Sequence, residues 1–187
     1  MSIEITQRVG IFFAAGFEEI EALTVVDLLR RTGIEALCVS IDNEKQVTGS
    51  HNITVLMDIG IDALDFDSLD MIVCPGGMPG TKRLEACTKL TDKIKEFYND
   101  GKRIAAICAA PMIFGHMGLL EGKPACIYPG MEAELKGANV VYDNVVRVEN
   151  VITSRGMGTA IAFGLQIVAE LLGESAAQEL AYKIVYP

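Results

Sequence analysis

The chain has 187 residues, half of them hydrophobic, with 16 Lys and Arg against 25 Asp and Glu for a formal charge of −9. That length supports one sizeable core and is short for two, so residues 1–187 are read as a single domain. The acidic balance argues against nucleic acid as a partner, because binding a phosphate backbone needs a positive face.

Met1-Ser2-Ile3-Glu4 opens the sequence without a basic segment or a cleavage pattern, and no apolar run is long enough to span a bilayer. A cytoplasmic protein with no membrane partner is the expectation. Val9-Gly10-Ile11-Phe12-Phe13 is a continuous apolar run, the mark of a strand buried on both faces. A helix follows, with Ile20, Leu23, Val26 and Leu29 as its expected inner stripe, Arg30 and Arg31 near its C-terminus and Gly33 closing it. Ile34 to Ile41 reads as the second strand. Asn43-Glu44-Lys45 and Gly49-Ser50 are turn chemistry around two short strand-like stretches, Val47 and Ile53 to Leu56, which predicts a small hairpin or edge ribbon.

Asp62 to Leu69 reads as a weak helix or loop, and Asp70 to Cys74 as a buried strand that ends in Pro75-Gly76-Gly77. Leu90, Ile94 and Phe97 repeat at helical spacing, and Asn99-Asp100-Gly101 stops that helix before a strand around Ile104. A helix from about Ala109 to His116 or Met117 and a short strand at Ala125-Cys126-Ile127 come next. Val140 to Val148 and Val151 to Thr153 read as strands joined near Glu149-Asn150. A long helix should present Ile161, Leu165, Val168 and Leu172 on one face, and Ser175 to Ile184 is the final helix. Strands that alternate with helices predict an α/β sandwich with a parallel sheet covered on both sides.

The chemistry should lie outside the carboxyl ends of the strands. Three of those ends carry unusual residues: Glu18, Glu19 and Glu21 after the first strand, Gly76 and Gly77 after another, and Cys108 in Ala106-Ile107-Cys108-Ala109-Ala110-Pro111. Small residues around Cys108 match the tight corner that presents a nucleophile at the top of a sheet. A thiol before a helix N-terminus is favoured as thiolate, and a buried structural cysteine is the alternative. One of the three acids could move a proton or donate a hydrogen bond to the sulfur, while capping or solvation explains the others. The N–H groups of Gly76 and Gly77 could hold an oxyanion, or the pair could simply form a turn.

Five cysteines (Cys38, Cys74, Cys87, Cys108, Cys126) without a C-x-x-C argue against a disulfide framework and a zinc site, so no metal is expected. There are only two histidines. His116 is ~10 Å or more of helical rise from Cys108. His51 could approach only through the fold or from another subunit, so both are read as surface or packing residues and a Cys-His-acid triad finds little support.

At these residues the sequence resembles the ThiJ/PfpI family over nearly its whole length. Ala15-Gly16-Phe17-Glu18-Glu19-Ile20-Glu21, Val73-Cys74-Pro75-Gly76-Gly77, Ala105 to Pro111 and Thr153-Ser154-Arg155-Gly156-Met157-Gly158-Thr159 are similar to its signatures, in the right order. The resemblance implies a flavodoxin-like three-layer sandwich with a mostly parallel central sheet, usually a homodimer, that uses no cofactor. It maps an oxidation-prone cysteine onto Cys108 and an inward glutamate onto Glu21, and it places Gly76, Gly77 and the amide of Ala109 on the anion-binding side. The implied activity is glyoxalase or deglycase action on small carbonyl compounds such as methylglyoxal or on glycated protein side chains. The alternative it offers is redox sensing or redox-regulated chaperoning through Cys108. Protease-like members carry histidine directly after the cysteine, where this chain has Ala109, which argues against a peptidase. Some members have histidine before a proline near the site; here Tyr128 precedes Pro129, which removes one possible base.

Overall fold

A computed structural model describes residues 7–187, so Met1 to Glu4 lie outside the described residues. The strands and helices are, in chain order, β1 (Arg8–Phe13), α1 (Glu19–Arg31), β2 (Glu35–Ser40), β3 (Gln46–Thr48), β4 (Thr54–Leu56), β5 (Ile59–Gly60), β6 (Met71–Cys74), α2 (Gly80–Ala86), α3 (Thr88–Asn99), β7 (Arg103–Ile107), α4 (Pro111–His116), β8 (Pro124–Ala125), β9 (Asn139–Val140), β10 (Val145–Val148), β11 (Val151–Ser154), α5 (Ala160–Leu172) and α6 (Glu174–Lys183).

Seven strands form the central sheet in the order β10-β11-β7-β6-β1-β2-β5, all parallel except the β10–β11 hairpin at one edge. The continuous apolar strands are buried on both faces, as their composition predicts. Successive side chains go to opposite cores. Phe12, Ile72, Cys74, Ile104 and Ala106 pack with Leu90, Ile94 and Phe97 of α3 on one side. Ile11, Phe13, Met71, Val73 and Ile107 pack with Val25 and Leu29 of α1 and Phe163 and Ile167 of α5 on the other. The result is the expected flavodoxin-like three-layer sandwich. The expected ribbon is present too, as the antiparallel pair β3–β4.

Three expectations are corrected. The stripe on α1 is shifted: Ile20 is 49% exposed, while Glu21, Ala22, Val25, Leu28 and Leu29 are buried. On α5, Ile161 and Leu172 are exposed and the buried face is Ala160, Phe163, Gly164, Ile167 and Val168. The two helices pack on each other as well as on the sheet, and a β-carbon at Gly164 would sit 2.6 Å from Leu28 Cδ1, so their closest approach sets both faces. Finally, the strand read over Val140 to Val148 is broken: Asn139–Val140 pairs with β8, and β10 begins only at Val145. In between, the Asn144 carbonyl accepts the Ser154 hydroxyl at 2.8 Å instead of extending a ladder.

In this strand order the chain departs in opposite directions from the neighbours β1 and β6, which makes their carboxyl ends the switch point of the sheet. Glu21 follows β1, Gly76 follows β6, and Cys108 follows the next strand, β7.

Candidate active site

Cys108 sits at the corner between β7 and α4 with φ +64°, a left-handed conformation that a non-glycine residue adopts only when its surroundings enforce it. The enforcement is visible on both sides. Its N–H donates to the Ser154 carbonyl of β11 at 3.0 Å, and its carbonyl accepts the Tyr128 N–H at 2.8 Å. Ala109 and Ala110 are buried beside it, where larger side chains would not fit the turn.

Glu21 comes from the third position of α1 and is 1% exposed. Its carboxyl accepts the Gly76 N–H at 3.0 Å and lies beside the Cys108 thiol. Residue 76 can only be glycine here, because a β-carbon would lie 2.5 Å from Glu21 Oε2 and 3.0 Å from Cys108 Sγ. Gly77 has φ +91°, and its N–H together with that of Ala109 is close enough to the sulfur to favour its charged form. Thus two of the three amides expected to receive an anion face Cys108, whereas the Gly76 amide is occupied by Glu21.

Burial pushes the Glu21 carboxyl up to about 7, against the opposing pull of the Cys108 thiol and the Gly76 N–H and with help from the Glu18 charge. Burial also pushes the Cys108 thiol up to about 12, and a charged Glu21 adds to that, while the Gly77 and Ala109 amides oppose it. The expectation of a thiol lowered by a helix end is therefore corrected. Helix α4 starts three residues later, at Pro111, and has only six residues. The two groups titrate as a pair. A proton on Glu21 removes the charge that opposes thiolate and gives the sulfur a donor.

Both groups open on a cleft of about 490 Å³ lined by Glu18, His51, Tyr128, Pro129, Arg155 and the Gly156 to Thr159 turn. Arg155 is the cation of this lining; its guanidinium lies 5.7 Å over the Tyr142 ring. Two of the buried cysteines lack such company: burial pushes Cys38 and Cys74 each up to about 12, with no acid of the cleft beside them.

His51 is the residue that sequence reasoning missed. The β3–β4 turn folds over the start of α1, fixed by the Ser50 N–H to Phe17 carbonyl bond of 2.8 Å, and this carries His51 to the cleft. Glu19, 4% exposed, accepts the His51 N–H at 2.7 Å on Oε1 and meets Nδ1 at 2.9 Å on Oε2. Burial alone would raise the Glu19 carboxyl, but these hydrogen bonds win and hold it at about 2. His116, by contrast, is tied between Glu85 and Glu134 away from the cleft. Among the described residues, Glu18, Glu19 and His51 are the one group spaced to hold a metal ion, with ligand atoms within 4.8 Å of each other. Both Glu19 oxygens already hold His51 donors, so the group is read as an ion-pair network.

The DJ-1/PfpI family model matches residues 7–170. DJ-1 homolog B of Arabidopsis thaliana is 36% identical over 182 residues, which is 96% of this chain and 42% of that protein, so the chain spans less than half of that longer relative. The glutathione-independent glyoxalase DJR-1.2 of Caenorhabditis elegans is 32% identical over 157 residues, 83% of each chain. A deglycase of Pyrococcus abyssi is 31% identical over 163 residues, 86% of this chain and 97% of that one. The structure of oxidized Toxoplasma gondii DJ-1 superposes with a TM-score of 0.92 at 33% identity, covering 97% of this chain and 99% of that one. Signature residues, strand order and whole-chain similarity agree: the chain belongs to the DJ-1/PfpI family.

Proposed function

We propose that the protein is a cysteine-dependent glyoxalase or deglycase that needs no cofactor and acts on small reactive carbonyls such as methylglyoxal or on their adducts with protein side chains. The observation that carries this reading is the close approach of Glu21 and Cys108 over Gly76, in the lining of one cleft. The activities in the names of the nematode and archaeal relatives support it.

The thiolate of Cys108 adds to the aldehyde carbon, and the Glu21 proton goes to the new alkoxide. The resulting Glu21 carboxylate then takes the C–H proton of that carbon and returns it to the neighbouring carbon. One carbon is oxidised and its neighbour reduced, so no external redox partner enters. The product is a hydroxyacyl thioester on Cys108, which water releases as the hydroxy acid. The Ala109 and Gly77 amides stabilise negative charge beside the sulfur, and Arg155 complements the product carboxylate. With glycated side chains the same thiolate attacks the adduct carbon and the amine departs.

Conversion of methylglyoxal to lactate by the wild type, abolished in Cys108→Ser, tests the reading; equal turnover by the variant would end it. A second reading, redox sensing or redox-regulated chaperoning, is favoured by the protonated Glu21 carboxyl, a ready donor to a cysteine sulfinate. The chain is read as one domain that pairs with a second copy. Support comes from an apolar groove of about 590 Å³ on α1 and α5, lined by Ile20, Leu23, Ile53 and Ile161.

A further inference from the structure

We propose that His51, oriented by Glu19, is the base that activates the water releasing the acyl group from Cys108. The inference rests on the glyoxalase reading above and assigns a residue to the hydrolytic step, which that reading leaves to water.

The cleft carries the argument. His51 and Cys108 line the same cavity, and His51 does so from its rim, with a side chain 68% exposed and thus in contact with water. Glu19 determines which ring nitrogen works. A carboxylate is an acceptor only, so the 2.9 Å contact requires the proton on Nδ1. In neutral His51, Nε2 is then a lone-pair acceptor, and among the described residues it has no hydrogen-bond partner. The Glu19 charge also stabilises the imidazolium that forms when Nε2 takes a proton. This acid is itself fixed, since its second oxygen holds the His51 N–H.

The groups around His51 are consistent with one role. Glu18 Oε2 lies 3.6 Å from Nδ1 and accepts the Ser50 hydroxyl at 3.3 Å. Arg155, Tyr128, Glu21 and Cys108 line the same cleft. Hydrogen bonds to Glu19, with the charges of Glu18 and Glu19, raise the His51 pKa above its ordinary value. His51 is the imidazole of this cleft, which it shares with Tyr128.

In the step itself, water loses a proton to Nε2 as its oxygen attacks the thioester carbon. The tetrahedral intermediate collapses, the C–S bond breaks with its electron pair going to sulfur, and the imidazolium proton returns to the leaving group through solvent. Thioester and water become hydroxy acid and thiol.

The test uses the intact protein and methylglyoxal. His51→Gln is expected to lower kcat by about 100-fold, and a Cys108-bound adduct one methylglyoxal heavier should accumulate in intact-mass spectra. Alkylation of Cys108 by iodoacetamide should keep its wild-type rate, which excludes a displaced thiol. Wild-type kcat should fall as pH drops through the His51 titration. That limb should vanish in His51→Gln and move to lower pH in Glu19→Gln. Wild-type turnover and an unchanged acidic limb in His51→Gln would overturn the role of His51 alone. Absence of Cys108-dependent turnover in the wild type would overturn the glyoxalase reading and this inference with it.

Discussion

Glu21 and Cys108, from the ends of different strands, are brought together over a missing side chain: the β-carbon that Gly76 lacks would occupy the space their oxygen and sulfur share. Gly76→Ala is therefore expected to push the two groups apart. The protein should remain folded, at a cost of about 1–3 kcal/mol for overpacking. The contact between Glu21 and Cys108 should be lost, and with it most turnover. Urea unfolding together with methylglyoxal consumption separates the two effects, and a variant that retains turnover would show that contact between the groups is unnecessary.

The raised carboxyl of Glu21 makes stability depend on pH in an unusual direction. Between the ordinary value of 4.5 and about 7, the folded chain holds a proton that the unfolded chain has released. The contribution is complete below pH 4.5 and is lost as pH rises through about 7; a shift of that size corresponds to about 3 kcal/mol. Glu21→Gln, which keeps the hydrogen-bonding shape without the charge, should flatten this slope and be more stable than the wild type above pH 7. Denaturant midpoints measured across that window check it, and parallel curves for the two proteins would contradict it.

The sheet was legible in the sequence because strands buried on both faces are continuous apolar runs, and β1, β6 and β7 each announce themselves that way. Cys108 was legible for a related reason: only small residues fit around a strand-to-helix corner. The choice among Glu18, Glu19 and Glu21 was not, since their spacing in the first turn of a helix leaves their facing open. In the fold Glu19 and Glu21 are both buried and serve different partners, His51 and Cys108. Position 51 was missed because only tertiary packing brings the ribbon turn over α1. A signal existed in Gly49, where a β-carbon would collide with the Glu19 carboxylate. The stripes on α1 and α5 were misplaced because periodicity identifies an apolar face without saying whether the sheet, another helix or a second subunit covers it.

Peroxide should discriminate among the five thiols. Cys38, Cys74 and Cys126 are buried, whereas Cys87 and Cys108 are partly open to solvent. Cys108 has the Gly77 and Ala109 amides and the protonatable Glu21 carboxyl around its sulfur. With graded peroxide, peptide mass spectrometry should find two oxygens on Cys108 before any appear on Cys87, and Glu21→Gln should change the proportion that stops at the sulfenic stage. Equal oxidation of Cys87 and Cys108 would remove the basis for the sensing alternative.

The exposed apolar residues of α1 and α5 give the last prediction its logic. Ile20, Ile53 and Ile161 are 49%, 53% and 39% exposed and line one groove, and leaving such side chains in water forfeits burial that a second copy could supply. Ile161→Asp places a charge in that groove without touching the cleft of Cys108. It should convert a dimer to a monomer in sedimentation or light-scattering measurements, while far-UV circular dichroism stays unchanged because Ile161 packs against no core residue on its exposed side. Glu19 also lines the groove, so His51 is held by an acid at the edge of the proposed interface. Dissociation should therefore loosen the Glu19–His51 contact and lower activity, and Cys108 alkylation should continue at its former rate. A monomeric wild type, or a dimer that survives Ile161→Asp, would place the pairing surface elsewhere.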